Sequence, residues 1–380
     1  MKLLIKNGIT PKGRVSLPPS KSEAVRAALL LGLCGGDPMR AVENYPARPL
    51  CDDVMRALAA ADTAVPVPDA GSSAALLRML VPVRLALYGR ADIRADERLA
   101  ARGMQELERC LGAEVRFDNG MLSMEKTLSS ARYEIDCSRS SQFLSGLLIA
   151  LPLLPRECEI VVRGGLVSKG YADMTLRFAR LFGARVEETE EGFVTHPSRY
   201  TEPVTIPVFG DLSYAAVFRA MNALGGEVEI SGMTDDPMQP DGRFYELAGL
   251  PDADVADCPD LMPVLAACAC GRKADTVIRG AGRLAFKESD RLRGMERLIS
   301  DLGGEAYVLG DALVVRGRGG LHGGECSAQG DHRLCFAAAA LAAICDKPVT
   351  LCGAESVTKS APRFWEDYSG LDGDIIEVTE

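Results

Sequence analysis

The chain has 380 residues, 47% hydrophobic and 25% charged, which suits two globular domains with cores of their own and excludes a disordered chain. A formal net charge of −10 and a pI near 5.1 argue against a general nucleic-acid binder. The opening MKLLIKNG is too short and too polar for a signal peptide or a membrane span, so the expectation is a cytoplasmic protein without a membrane partner.

In chain order, that opening reads as a first strand. Ser20-Lys21-Ser22-Glu23 then has the form of a capping box, with Ser20 as N-cap and Glu23 three residues on. Lys21 and Ser22 would lie in the first helical turn, and Arg26 on the same face as Ser22. Ser138-Arg139-Ser140-Ser141-Gln142 precedes the apolar helix pattern 143–150. Ser168-Lys169…Tyr171 opens an amphipathic helix in which Tyr171, Met174, Phe178, Leu181 and Phe182 recur at helical spacing. Asp260 follows Cys258-Pro259 and could cap the apolar run 261–269. Lys287-Glu288-Ser289-Asp290-Arg291 opens a helix expected over 292–302, with Lys287 and Arg291 on one face. Asp331-His332-Arg333 leads into 334–344, nearly all apolar and small, where an arginine has little reason to sit unless it meets an anion or an acid. Lys359 follows.

Such helix starts present free N–H groups and the positive end of the helix dipole to anions. Several in one acidic chain point to a substrate, or two, rich in phosphate and carboxylate. Each also has an ordinary alternative: a plain cap, spare serines, or a solvated charged face.

One phrase recurs: Leu111-Gly112-Ala113-Glu114-Val115, Phe182-Gly183-Ala184-Arg185-Val186, Leu224-Gly225-Gly226-Glu227-Val228 and Leu302-Gly303-Gly304-Glu305-Ala306. Each reads as a helix stopped by glycine and followed by a strand, in a repeated unit with insertions. Boundary candidates are Leu17-Pro18-Pro19-Ser20 and Pro207-Val208-Phe209-Gly210-Asp211, which would give a discontinuous domain of 1–17 plus 211–380 and a second of 18–210. The twelve cysteines are scattered, some in apolar runs such as Ala266-Ala267-Cys268-Ala269-Cys270, with no CxxC pair and only three histidines. They read as small buried hydrophobes in a reducing compartment, with no metal expected.

In this order, the clusters resemble the EPSP synthase (3-phosphoshikimate 1-carboxyvinyltransferase) family over essentially the whole chain. The family's KSxxxR opening is Lys21-Ser22…Arg26, followed by Leu50-Cys51-Asp52-Asp53-Val54. SSQF is Ser140-Ser141-Gln142-Phe143, and VSKPY is Val167-Ser168-Lys169-Gly170-Tyr171 with glycine for proline. KExDR is Lys287-Glu288-Ser289-Asp290-Arg291, DHR is Asp331-His332-Arg333, and the closing lysine is Lys359. The resemblance implies an α/β (α+β) enolpyruvyl transferase fold of two domains, each of three βαβαββ units closing over the substrates. It implies attack of the 5-hydroxyl of shikimate 3-phosphate on C2 of phosphoenolpyruvate, then loss of phosphate, with no cofactor. By family analogy Ser22, Arg26, Ser140, Ser141, Gln142, Ser168, Tyr171 and Lys287 hold shikimate 3-phosphate. Lys21, Arg291, Arg333 and Lys359 hold phosphoenolpyruvate. Lys21, Asp260 and Glu288 transfer protons, with the acid and the base left unassigned. The expected partners are these two small molecules, on a monomer.

The chain departs from the family in its phosphoenolpyruvate loop. Anchored on Leu77-Arg78-Met79-Leu80, Ala74 stands where a glycine is usual; anchored on Gly71, Ala75 stands where the arginine belongs. The first register is preferred and predicts glyphosate tolerance. For the next arginine both Arg98 and Arg102 qualify, Arg102-Gly103-Met104 fitting better. Arg283 stands where an asparagine is common. The competing readings are a UDP-N-acetylglucosamine enolpyruvyl transferase, disfavoured by Lys21-Ser22 and SSQF, and a non-catalytic anion-binding paralogue, disfavoured by retention of Lys21, Asp260, Glu288 and Lys359.

Overall fold

The computed structural model describes residues 1–46, 49–233 and 238–378. It divides into two compact units. The C-terminal unit comprises Met1–Ser20, Arg48–Cys51 and Phe209–Glu380; the N-terminal unit comprises Lys21–Ala47 and Asp52–Val208.

In the N-terminal unit the helices are α1 (Lys21–Cys34), α2 (Asp52–Ala60), α3 (Ala74–Tyr88), α4 (Glu97–Ala101), α5 (Gln105–Leu111), α6 (Gln142–Ala150) and α7 (Lys169–Leu181). One sheet runs Arg90–Arg94, Met121–Glu125, Arg116–Asp118, all antiparallel. The other runs Arg132–Asp136, Cys158–Arg163, Gly192–His196, Arg185–Glu188, with only its first pair parallel. The segment 197–208 carries Pro197, Pro203 and Pro207 and runs outside any strand, since proline has no N–H for a ladder. The contact that matters for the site is α3 on α6. A Cβ at Gly146 would meet the Arg78 carbonyl oxygen and Pro82 Cγ at 2.6 Å. Glycine there lets α6 seat its start against Arg78.

In the C-terminal unit the helices are α8 (Leu212–Ala223), α9 (Phe244–Leu247), α10 (Met262–Cys270), α11 (Arg291–Asp301), α12 (His332–Leu341) and α13 (Phe364–Ser369). One sheet has the order Gly324–Ser327, Val349–Cys352, Lys2–Ile5, Ile375–Glu377, so the first strand of the chain is central to it. A second pairs Glu227–Ser231 parallel with Lys12–Ser16, and a third runs Asp252–Asp254, Asp275–Arg279, Ala312–Arg316, Glu305–Leu309. Every residue of α10 and α12 is buried. A helix apolar on all sides has to be central. Around α12, Phe336 meets Tyr214 of α8 and Phe364 of α13 edge-on or tilted, with ring centroids 6.0 and 4.6 Å apart. That packing fixes the start of α12, where Asp331, His332 and Arg333 stand.

The recurring phrase is a helix–glycine–strand turn in all four places. Gly112, Gly183, Gly225 and Gly303 have φ of 60, 96, 108 and 80°, and strands begin at Arg116, Arg185, Glu227 and Glu305. Among the described residues no helix is long and apolar enough to cross a membrane.

None of the twelve cysteines forms a disulfide; Cys34, Cys110 and Cys352 are half-buried and the other nine buried. Burial pushes the thiols of Cys268, Cys270 and Cys326 up to about 12. Titration of the native protein with a thiol-specific disulfide reagent at pH 8 is therefore expected to modify at most three cysteines quickly, and all twelve in denaturant. Fast labelling of most thiols in the native protein would contradict the buried assignment.

Candidate active site

In the C-terminal unit the sequence-predicted charged residues form one hydrogen-bonded cluster. Asp260 sits in a 3-10 turn, Pro259–Leu261, ahead of α10. Its Oδ1 accepts from Arg291 Nη1 at 2.8 Å and faces Lys287 Nζ at 3.5 Å; its Oδ2 accepts from Arg333 Nη2 at 3.2 Å. Glu288 Oε2 accepts from Arg291 Nη2 at 2.8 Å, and its Oε1 from Lys359 Nζ at 2.9 Å. Arg291 Nε donates to Asp331 Oδ2 at 2.9 Å, while Asp331 Oδ1 caps α12 by accepting from the Arg333 N–H.

Exposure sorts these groups. The Arg291 and Asp331 side chains are 1% and 0% exposed, whereas Asp260, Lys287, Glu288 and Lys359 retain 22, 24, 16 and 17%. Arg291–Asp331 is thus a buried frame, and the other four line a surface that a ligand can reach. Burial would raise the Asp260 carboxyl, but Lys287, Arg333 and Arg291 outweigh it and hold Asp260 well below the usual carboxylate range. Two of the four cations in this network, Lys287 and Lys359, stay partly exposed, where they suit a phosphorylated acid.

Two sequence expectations are corrected here. Asp260 does not cap the following helix; its side chain turns to the arginines. Lys287 and Arg291 do not share a helix face, because α11 begins at Arg291 with Asp290 as N-cap, and Lys287 is extended (φ −85, ψ −151). They converge on Asp260 from a bend.

In the N-terminal unit a second cluster forms around helix starts. Lys21 is the first residue of α1, and its Nζ lies 3.1 Å from Asp53 Oδ2 on α2. Arg26 is 3% exposed and directed inward: Nε donates to Thr175 Oγ1, Nη1 to the Ser22 carbonyl and Nη2 to the Tyr171 carbonyl, at 2.7, 2.7 and 3.0 Å. Burial draws its guanidinium down to about 10. Arg26 therefore ties α1 to α7, fixing Ser22 and Tyr171. Ser141 stands at the N-cap of α6 without a capping bond and donates instead to the Ser168 carbonyl at 3.2 Å. Ser168, at φ 52°, is the N-cap of α7.

Arg78, one turn into α3, donates to Gln142 Oε1 at 3.0 Å and Ser140 Oγ at 3.4 Å. It also reaches the Arg102 and Gly103 carbonyls at 3.3 and 3.4 Å and lies 4.6 Å over the Phe143 ring. It gathers the SSQF element and the Arg102 loop, whereas Arg98 is exposed on α4. Gly71, at φ 51°, has a backbone that other residues adopt only with strain, and a Cβ there would also displace the Arg56 side chain. Ala74, buried at the start of α3, lies one turn before Arg78 on the same helix face. Sequence reasoning missed Asp53 as the partner of Lys21 and Arg78 as an organiser. Asp53 lay inside the quoted Leu50–Val54 motif, but no spacing rule links it to Lys21.

The family model described as EPSP synthase (3-phosphoshikimate 1-carboxyvinyltransferase) matches residues 57–249 and 247–368. The chain belongs to the EPSP synthase family. A curated 3-phosphoshikimate 1-carboxyvinyltransferase from Clostridium kluyveri is 29% identical, covering 99% of each chain. One from Methanocorpusculum labreanum is 30% identical, over 99% of this chain and 100% of the relative. Among solved structures, EPSP synthase from Acinetobacter baumannii matches with TM-score 0.75 at 20% identity, over 99% of this chain and 100% of that one. The enolpyruvyl transferase NikO from Streptomyces tendae matches with TM-score 0.71 at 17% identity, over 99 and 98%. At these identities the solved structures speak for the shared enolpyruvyl transferase fold.

Proposed function

We propose that this protein transfers the enolpyruvyl group of phosphoenolpyruvate to the 5-hydroxyl of shikimate 3-phosphate and releases phosphate. The observation that carries the reading is Asp260, a carboxylate kept ionised by Lys287, Arg291 and Arg333 beside the Glu288–Lys359 pair. An ionised carboxylate accepts a proton; the reaction requires one to leave the 5-hydroxyl and another to reach the methylene carbon of phosphoenolpyruvate. Asp260 takes the first role. Glu288, passing on a proton from the Lys359 ammonium, and Lys21, paired with Asp53, are the groups for the second.

Arg333, Lys359 and Lys21 meet the phosphate and carboxylate of phosphoenolpyruvate, each charge-assisted bond contributing ~1.5–3 kcal/mol. Arg291, bonded to three acids, holds Asp260 and Glu288 in place beside Arg333 and Lys359. Ser22, Ser140, Ser141, Gln142, Ser168, Tyr171 and Lys287 supply hydroxyl, amide and ammonium donors for shikimate 3-phosphate, with Arg26 holding Ser22 and Tyr171 in place. Arg102, close to Arg78, belongs to the phosphoenolpyruvate loop. The protein works as a cytoplasmic monomer.

Phosphate release tests the reading: it should require both substrates together. Binding of shikimate 3-phosphate without phosphate release would favour the anion-binding paralogue instead. In the same assay glyphosate should inhibit only above the low micromolar range, because the Ala74 methyl narrows the space beside Arg78. Ala74→Gly should lower the inhibitory concentration by roughly 10–200-fold, the effect of one carbon in a tight pocket. Equal sensitivity of both forms would reject the Ala74 register.

A further inference from the structure

One buried carboxyl of the C-terminal unit has no part in the reading above. Asp241 lies in a 3-10 turn, Pro240–Arg243, and is 1% exposed. Its Oδ2 accepts from Ser213 Oγ, and its Oδ1 has no hydrogen-bond partner among the described residues. The turn is fixed from the preceding residue: Gln239 Oε1 accepts from the Leu212 N–H at 2.8 Å, and its Nε2 donates to the Gly210 carbonyl at 3.0 Å. Both bonds tie it to the start of α8. A buried acid with an idle oxygen is costly, so its retention calls for a reason.

Ser213 supplies the reason, because it is held at two points. Its hydroxyl bonds Asp241, and its carbonyl accepts from Arg333 Nη1 at 3.3 Å. The other end of the same guanidinium, Nη2, holds Asp260 Oδ2 at 3.2 Å. A continuous chain therefore runs Asp241–Ser213–Arg333–Asp260, across α8, α12 and the turn before α10.

We infer that Asp241 is a positioning residue for the proposed reaction: through Ser213 it fixes Arg333, and by gaining or losing its proton it sets how much of the Arg333 charge is left for Asp260. The titratable and charged groups facing it are Asp211, beside Ser213 at the start of α8, Cys258 and Asp260 from the turn before α10, and Arg333 from α12. Burial and then the Asp260 charge push the Asp241 carboxyl up to about 6, with Arg333 and the Ser213 hydrogen bond acting the other way. Below that pH the acid is neutral and Arg333 serves Asp260 alone. Above it, the Asp241 carboxylate draws on Arg333, and Asp260 becomes the better base.

The inference rests on the transferase reading, so the test needs one readout that does not. Wild type and Asp241→Asn, which keeps an acceptor for Ser213 but cannot ionise, are compared from pH 5 to 8 in phosphate release and in unfolding. Wild-type kcat should rise through an inflection near pH 6. The variant should lack that inflection and fall about 10-fold below wild type at pH 7.5, equivalent to one pKa unit of base strength. In unfolding the sign is fixed by the raised carboxyl. The folded state holds the proton more tightly, so this group's contribution is full below the unfolded value near 3.8 and is lost as pH rises through about 6. Asp241→Asn should remove that slope. Ser213→Ala keeps the charge but breaks the link; it should move the inflection upward and raise KM for phosphoenolpyruvate, and it serves if Asp241→Asn does not fold. Profiles and slopes that match wild type in both variants would overturn the inference. If wild type itself releases no phosphate, the enzymatic reading fails, and with it the positioning role, even where Asp241→Asn still removes the stability slope.

Discussion

Arg291→Met is expected to lower the unfolding free energy by ~3–5 kcal/mol at neutral pH, the usual cost of removing one partner from a buried ion-pair network. The Arg291 guanidinium bonds Asp331, Asp260 and Glu288 at once and is 1% exposed, so an apolar replacement of similar length takes a charged partner from three carboxylates, one of them fully buried. Arg291→Lys should lie between the two, since an ammonium cannot fork to several acids in fixed directions. The pH dependence carries the sign. In wild type the Asp260 carboxyl is held below its usual value, so its contribution is present above about pH 4 and is lost only as pH falls through the depressed folded value. Without Arg291 the fully buried Asp331 carboxyl loses its guanidinium partner, and the variant should recover stability relative to wild type as pH drops from 8 to 5. Urea unfolding at both pH values measures this. A loss below ~1 kcal/mol, typical of an exposed pair, would show that the network is not the buried frame described.

That network was only partly legible in the sequence. Clusters at Lys287–Arg291 and Asp331–Arg333 stood out because an arginine heading an all-apolar helix needs an acid or an anion, and Arg333 does meet Asp260. The four helix–glycine–strand turns were readable because a left-handed residue after an amphipathic helix leaves a local signal. What was not readable is how a bend brings Lys287 and Arg291 together. The helical wheel put them on one face, but the helix starts later and Lys287 is extended. Nor could sequence alone pair Lys21 with Asp53, or tie Asp241 to Ser213, since those partners lie on different elements. Gln239-Pro240-Asp241-Gly242 reads as a surface turn, because proline, aspartate and glycine are turn formers; burial of the aspartate is a tertiary fact. Arg26 shows the converse. Its place on the face of Ser22 follows from the spacing, yet each of its three nitrogens donates to a protein oxygen, which neither charge nor spacing could announce.

Asp260→Asn is expected to reduce kcat for phosphate release by ~10²–10⁴-fold, the range for losing a general base. The substitution is conservative in shape: the amide oxygen still accepts from an arginine, so the loop before α10 and the binding of phosphoenolpyruvate should change less than turnover. What disappears is the site for the 5-hydroxyl proton. Glu288→Gln separates the two carboxyls, since Glu288 bonds Arg291 and Lys359, whereas Asp260 meets Arg291, Lys287 and Arg333. If Asp260 is the base and Glu288 serves protonation of the methylene carbon, both variants lose turnover, but only Glu288→Gln should slow exchange of solvent deuterium into the methylene of phosphoenolpyruvate in excess of its loss in phosphate release. The resting charge state adds a constraint. Asp260 is ionised far into acid, so an inflection near pH 6 in wild-type turnover belongs to another group, and the chain through Arg333 and Ser213 leads to Asp241. An Asp260→Asn form within about threefold of wild type would remove Asp260 from the chemistry, because a lost base costs at least ~10².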